Sequence, residues 1–187
     1  MVIGILSIQG DFAEHKKVLD QLGVDSIFVK YPEDLANIDA LILPGGESTT
    51  ISRLVKKWGL LDSIQKFEKP IMGTCAGAIL MAKKVLNEFD KVEDTPFELM
   101  DITVKRNAFG RQIESFETKL EFQGKGFTGV FIRAPKIIEL GKDVKVLVKY
   151  QNSPVMVQEN NRLALTFHPE LAPDALFIYE YFLNLIK

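Results

Sequence analysis

The chain's 187 residues are enough for one well-packed domain and few for two. Hydrophobic residues make up 47% and charged residues 26%, with a formal net charge of −2, so nothing in the balance calls for nucleic acid or an anionic membrane as partner. No apolar run approaches the roughly 20 residues that span a bilayer, the apolar start lacks the basic n-region of a signal peptide, and a single cysteine excludes an internal disulfide and makes a reducing cytoplasm the expected compartment.

Val2 to Gln9 is a continuous apolar run that predicts a buried parallel strand. Asp11 is placed to cap a helix whose inner face carries Phe12, Val18, Leu19 and Leu22, with Gly23 as its stop. Ser26 to Val29 and Ile38 to Leu43 follow as strands, the latter ended by Pro44-Gly45-Gly46. Ser48 or Thr49 is expected to cap a helix through Lys57, and Leu60 to Phe67 reads as a shorter one. Pro70 to Gly73 is a short strand, and Ala76 to Leu86 is predicted to be helical. This alternation implies a parallel sheet covered by helices on both faces.

The second half is richer in strands, over Ile102 to Lys105, Ser115 to Phe122, Gly129 to Arg133, Val144 to Tyr150, Pro154 to Gln158 and Leu163 to Phe167. Turn residues between the last three predict a meander. A helix from about Pro173 to Leu185 closes the chain. The expected architecture is a single α/β domain over 1–187, a three-layer sandwich whose mostly parallel central sheet carries an antiparallel extension.

Chemistry enters at Gly73-Thr74-Cys75-Ala76-Gly77, which has the shape of a nucleophile elbow with Cys in the place of Ser. A strand leads in and a helix leads out, and the glycines allow a turn too tight for larger side chains. The elbow lifts Cys75 to the carboxyl edge of the sheet and to a helix N-terminus, where the local potential favours thiolate. The second constellation is His168-Pro169-Glu170. In an extended segment, residues two apart point the same way, so Glu170 can orient His168 while the other ring nitrogen faces a nucleophile. The third is Pro44-Gly45-Gly46-Glu47-Ser48-Thr49, which lacks the ending of a phosphate-binding loop. An N–H of that turn, at Gly46, and the N–H of Ala76 could form an oxyanion hole. Taken alone, each pattern also has an ordinary structural reading, as a buried thiol, a loop histidine and a strand-to-helix turn. His15, at helical spacing with Phe12, Leu19 and Leu22, reads first as a packed helix histidine and second as a partner contact. One cysteine and two distant histidines give no metal-ligand spacing, so no metal is expected.

In this order and spacing, PGGEST, GTCAG and HPE resemble the triad glutamine amidotransferases, with their flavodoxin-like fold. More narrowly, the chain is similar to the glutaminase subunits of pyridoxal 5′-phosphate synthases. That match rests on Gly4 to Gly10 (GILSIQG), Leu43 to Thr50 (LPGGESTT), Arg106 to Gln112 (RNAFGRQ), Thr128 to Pro135 (TGVFIRAP) and Thr166 to Leu171 (TFHPEL). Ala108, and Ala78 with Ile79, depart from the residues common in that family without touching a proposed catalytic group. The resemblance implies that Cys75 attacks the side-chain amide of L-glutamine, that His168 moves protons and that Glu170 orients it. It places Gly46, Glu47, Ser48, Arg106, Ile132 and Arg133 on the substrate; without it, Arg106 and Arg111 read as solvated surface charges. It implies no cofactor. It also implies that ammonia passes to a separate synthase (lyase) subunit in a large hetero-oligomer, docked near Gln9 and Gly10. The glutaminase of imidazole glycerol phosphate synthase, another cysteine hydrolase on a similar sheet, and an inactive regulatory subunit remain as alternatives.

Overall fold

In the computed structural model, which describes residues 1–87, 89–93, 96–106 and 115–186, the first apolar run forms β1 (Val2–Leu6). It pairs in parallel with β2 (Asp25–Val29) on one side and β3 (Ala40–Leu43) on the other. Next to β3 lies β4 (Ile71–Thr74), then β12 (Arg162–Leu165), both parallel to it. The meander of β10 (Lys145–Tyr150), β11 (Ser153–Glu159) and β12 supplies the antiparallel edge. The seven-stranded order is β10-β11-β12-β4-β3-β1-β2. It is a mostly parallel sheet with an antiparallel extension, as the sequence pattern implies.

Strands buried on both faces distribute their side chains alternately between two cores. Leu41, Leu43, Ile71 and Ala164 face a core shared with α2 (Ser48–Lys57), α3 (Leu61–Gln65) and α4 (Ala76–Met81). Ile3, Ile5, Ile42, Met72, Leu163 and Leu165 face one shared with α1 (Phe12–Gln21) and α5 (Leu176–Leu183). Each large aliphatic side chain so buried contributes about 1.5–3 kcal/mol relative to exposure.

Three expectations change here. The predicted helix over 76–86 ends at Met81, and β5 (Ala82–Leu86) follows at once. The cause is tertiary. The returning segment donates the Phe97, Leu99 and Glu98 amides to the carbonyls of Leu80, Met81 and Ala82, which satisfies the helix end and turns Ala82 to extended dihedrals. β5 then pairs with β6 (Met100–Lys105), and β6 with β9 (Lys136–Leu140), in a separate three-stranded sheet. β9 shows no alternation, because Ile137 is its one fully buried residue. Likewise β7 (Ser115–Phe122) and β8 (Lys125–Ile132) form a hairpin of their own, and the antiparallel extension of the main sheet is confined to β10 and β11. The closing helix is shorter than predicted, since Pro173–Ala175 is a 3₁₀ turn before α5.

Helix α2 is capped one residue earlier than predicted. The Glu47 carboxylate, not Ser48 or Thr49, accepts from the Thr49 and Thr50 amides at 3.2 and 2.7 Å. Asp11 stands at the cap position of α1 but makes no side-chain cap bond.

Candidate active site

The elbow is built by close backbone approach. Cys75 lies between β4 and α4 at φ 48°, a conformation that costs a non-glycine residue about 1–3 kcal/mol. Its N–H donates to the Leu165 carbonyl at 2.8 Å, which ties the turn to β12. A Cβ at Gly77 would overlap the Leu43 carbonyl oxygen, so helix α4 can sit against β3 only with glycine there. Gly77→Ala is therefore expected to cost upward of about 3 kcal/mol, on the order of 10 °C in Tm for a chain of this size. A thermal melt overlaying that of the wild type would refute this packing.

His168 follows β12 and is 3% exposed; Glu170 is buried too. His168 Nδ1 lies 2.7 Å from Glu170 Oε1. The pairing is achieved differently from the extended geometry expected. Pro169–Leu171 forms a 3₁₀ turn, and the turn folds Glu170 back under the ring. The His168 amide donates to the Val130 carbonyl of β8 at 2.8 Å, and the Cys75 thiol is aligned on the Ile132 carbonyl at 3.7 Å. One strand thus holds both nucleophile and base. His168 Nε2 has no hydrogen-bond partner among the described residues, so its interaction with the sulfur is electrostatic and loosely aligned.

Burial alone would push His168 down, but the neighbouring Cys75 and Glu170 outweigh it and raise the imidazole to about 10. Burial also opposes charge on Glu170, yet His15 and His168 hold its carboxyl below the usual range. The pair is accordingly imidazolium and carboxylate at neutral pH.

Gly46, Glu47, Ser48, Cys75, Arg106, Ile132 and Arg133 line one cavity of about 80 Å³, together with Ile79. Ligand pockets typically begin at roughly 300 Å³, so this one is tight and has to widen to admit a free amino acid. The Ser48 hydroxyl is buried without a partner among the described residues. Glu47 is held down at about 2: its slight burial works the other way, and the hydrogen bonds from Thr49 and Thr50 prevail. Arg106 donates to Glu93 at 2.7 Å and to Glu47 at 3.3 Å. Arg111 and most of the RNAFGRQ segment lie outside the described residues. Ala76 follows Cys75 at the start of α4, and Gly46 takes φ 150°, open to glycine alone.

Several neighbours carry no sequence signal of their role. Gln9 Oε1 accepts the Glu47 amide at 2.8 Å, the Asp11 amide donates to Gly45 O at 3.1 Å, and Gly10 packs on Gly45 so closely that a Cβ would overlap it. The loops after β1 and β3 therefore close the crevice where the sheet reverses its winding. The Asp11 carboxylate lies 3.8 Å from His168 Nδ1. Asp11, His168 and Glu170 bring potential ligand atoms within 4.8 Å of one another, but the short His168–Glu170 contact already commits two of them. His15 is fully buried, which removes the partner-contact reading. A larger cavity, about 720 Å³, opens at the opposite edge of the sheet beside Asp39, Lys69 and Asn161, and neither cysteine nor histidine lines it. Among the described residues no helix is long and apolar enough to cross a membrane.

Comparison with known proteins shows the family and the fold. The family model for the SNO glutamine amidotransferase family matches residues 5–187. The pyridoxal 5′-phosphate synthase subunit PdxT of Thermosipho africanus is 47% identical over 192 residues, covering all of both chains. The protein of that name from Pseudothermotoga lettingae is 50% identical over 99% of this chain and 95% of its own. The one from Methanocaldococcus jannaschii is 47% identical over the whole of both. A crystal structure described as a glutamine amidotransferase superposes with a TM-score of 0.92 at 43% identity, covering 100% of this chain and 99% of its own. A chain of the PurLQS structure from Thermotoga maritima shares the fold, with a TM-score of 0.71 at 17% identity over 100% of this chain and 98% of its own.

Proposed function

Because the chain belongs to the SNO glutamine amidotransferase family, we propose that its triad is Cys75, His168 and Glu170 and that it acts on glutamine. The chain hydrolyses L-glutamine to L-glutamate and ammonia, and the ammonia feeds pyridoxal 5′-phosphate synthesis, in keeping with its full-length relatives. The observation that carries the triad is the 2.7 Å contact between His168 and Glu170 beside a cysteine at positive φ, at the mouth of a pocket lined by the Gly46–Ser48 turn.

The Cys75 sulfur attacks the carboxamide carbon, and the oxyanion is received by the N–H groups of Gly46 and Ala76. His168 gives its proton to the leaving nitrogen, the C–N bond breaks, and a thioester remains. Water, deprotonated by His168, attacks the thioester, releases glutamate and returns the sulfur and the imidazolium to their starting state. Glu170 keeps the proton of His168 on Nδ1 through the neutral stage of the cycle. Gly46, Glu47, Ser48 and Ile132 shape the pocket around the substrate, and two guanidinium groups flank it for the α-carboxylate. Arg133 has no carboxylate partner among the described residues, whereas Arg106 has to release Glu47.

Residues 1–187 act as one domain on this reading, since strands from both ends of the sequence share a sheet. The chain works in the cytoplasm, where a lone thiol stays reduced. It docks through the Gln9–Gly10 loop on a synthase subunit within a large hetero-oligomer. Support comes from Gln9, which reaches from that loop to the Glu47 amide, so that docking can reset the turn that receives the oxyanion. Glutamate release measured with and without the synthase subunit tests the proposal. Stimulation of about tenfold or more is expected. A rate indifferent to the subunit would refute the coupling, and no release in either case would refute the substrate.

A further inference from the structure

We propose that His15 is a positioning residue for the triad, whose buried Nε2–H dipole faces the Glu170 carboxylate and helps to hold it against His168. The proposal rests on the glutaminase reading for its kinetic consequence. His15 enters from α1 with no exposed surface. Its Nδ1 lies 2.6 Å from the Tyr179 hydroxyl of α5, and its Nε2 lies 3.1 Å from Thr74 Oγ1 and 3.7 Å from Glu170 Oε1. Thr74 is the residue before the nucleophile. One imidazole therefore touches the elbow, the orienting carboxylate and the closing helix.

Burial sets the charge states, and the groups each nitrogen faces set the proton positions. Burial pushes Tyr179 well above 10 and pushes His15 below 6.5, the latter against the opposing pull of Glu170. Nε2, not Nδ1, faces the Glu170 carboxylate, which places the single ring proton of neutral His15 on Nε2 and leaves Nδ1 to accept from the Tyr179 hydroxyl. That N–H points to Thr74 and the carboxylate. The 3.7 Å separation from Glu170 is too long for a formed hydrogen bond but short for a dipole facing a charge in a dry interior. Glu170 Oε2 has no partner among the described residues, so Oε1 alone fixes the carboxylate, with His168 on one side and His15 on the other. Without the Nε2–H, the carboxylate would lose one of the two imidazoles that face Oε1 and be held less firmly against His168. The other charged groups near His15 are Asp11 at the head of α1, Glu14 on α1 and His168 itself.

The chain has only two histidines, so nitrogen-15 NMR of histidine-labelled protein resolves both rings. The wild type is expected to show His15 as the Nε2–H tautomer and a far-downfield His168 Nδ1–H. His15→Phe should lose that downfield proton, and His15→Gln, whose amide N–H reaches the same place, should keep it. Tyr179→Phe should let the His15 proton move to Nδ1. In the complex with the synthase subunit, His15→Phe is expected to lower kcat about 10–100-fold at unchanged KM, with His15→Gln recovering most of it. An Nδ1–H tautomer in the wild type, or a His168 signal indifferent to His15→Phe, would overturn the proposal. So would equal kcat losses in Phe and Gln variants that merely track Tm. If the wild type releases no glutamate, the glutaminase reading fails, while the NMR arm still decides the role of His15.

Discussion

Cys75→Ala is expected to lower glutamate release by at least about 10⁴-fold while leaving Tm within a few degrees of the wild type. The first half follows from the chemistry: no other side chain in the cavity can form the thioester, and loss of a nucleophile from a triad removes nearly all of its rate. The second half follows from packing. Beside its electrostatic interaction with His168, the sulfur makes one weak, 3.7 Å contact with a carbonyl, and the elbow is held by its backbone bond to Leu165 rather than by the side chain. Steady-state assay in the presence of the synthase subunit, paired with a thermal melt, separates the two. A variant that keeps a tenth of the wild-type rate would remove Cys75 from the mechanism. A variant that fails to fold would return it to a packing role.

Glu170→Gln should cost about 10²–10⁴-fold in kcat, because glutamine cannot stabilise the imidazolium and can equally offer its N–H to Nδ1, which forces the wrong tautomer. The same substitution has a signature in stability. The Glu170 carboxyl is held below its ordinary value, so it stabilises the fold above about pH 4.3, and that contribution is lost as pH falls through its folded value. His168 is raised to about 10, so its contribution is complete below about pH 6.5 and is lost as pH climbs toward 10. Wild-type Tm is expected to decline on both sides of that window. The acid decline should be shallower in Glu170→Gln, which lacks the carboxylate, and the alkaline decline only partly so, because Cys75 still raises His168. Melts from pH 4 to pH 10 measure this, and parallel curves for the two proteins would refute the buried ion pair.

The parts of the molecule legible in the sequence are those whose physics is local. Val2 to Leu6, Ala40 to Leu43 and Ile71 to Thr74 are apolar runs cut by glycine turns, and they form the parallel sheet. Cys75 and His168 stand just beyond the ends of adjacent strands. What the sequence hides depends on partners far away in the chain. Ala82 to Leu86 has residues content in a helix, and only the returning amides of 97–99 pull it into a strand. Glu47 reads in the sequence as a substrate contact, and its capping of α2 shows only once the 3D course of the loop is known. His15 carries a helical pattern that explains its burial but not the groups its ring nitrogens meet, since Tyr179 lies 164 positions away.

Strand register has one further consequence. Leu165 sits opposite Thr74 in the ladder between β12 and β4, and the base and the nucleophile each leave their strand within a few residues of that rung. The separation of sulfur and imidazole is thereby as durable as the central sheet, and it can be lost only by the global opening that releases those backbone amides to solvent. The Gly46–Ser48 turn is held mostly by side chains instead, through the Gln9 carboxamide, the Glu47 cap and its Arg106 partner, and by the close approach of Gly10. One site thus spans two layers of local stability, a slow-exchanging catalytic floor under a fast-exchanging substrate wall. The wall can breathe to admit and release ligand at little free-energy cost, while the chemistry beneath it keeps its alignment.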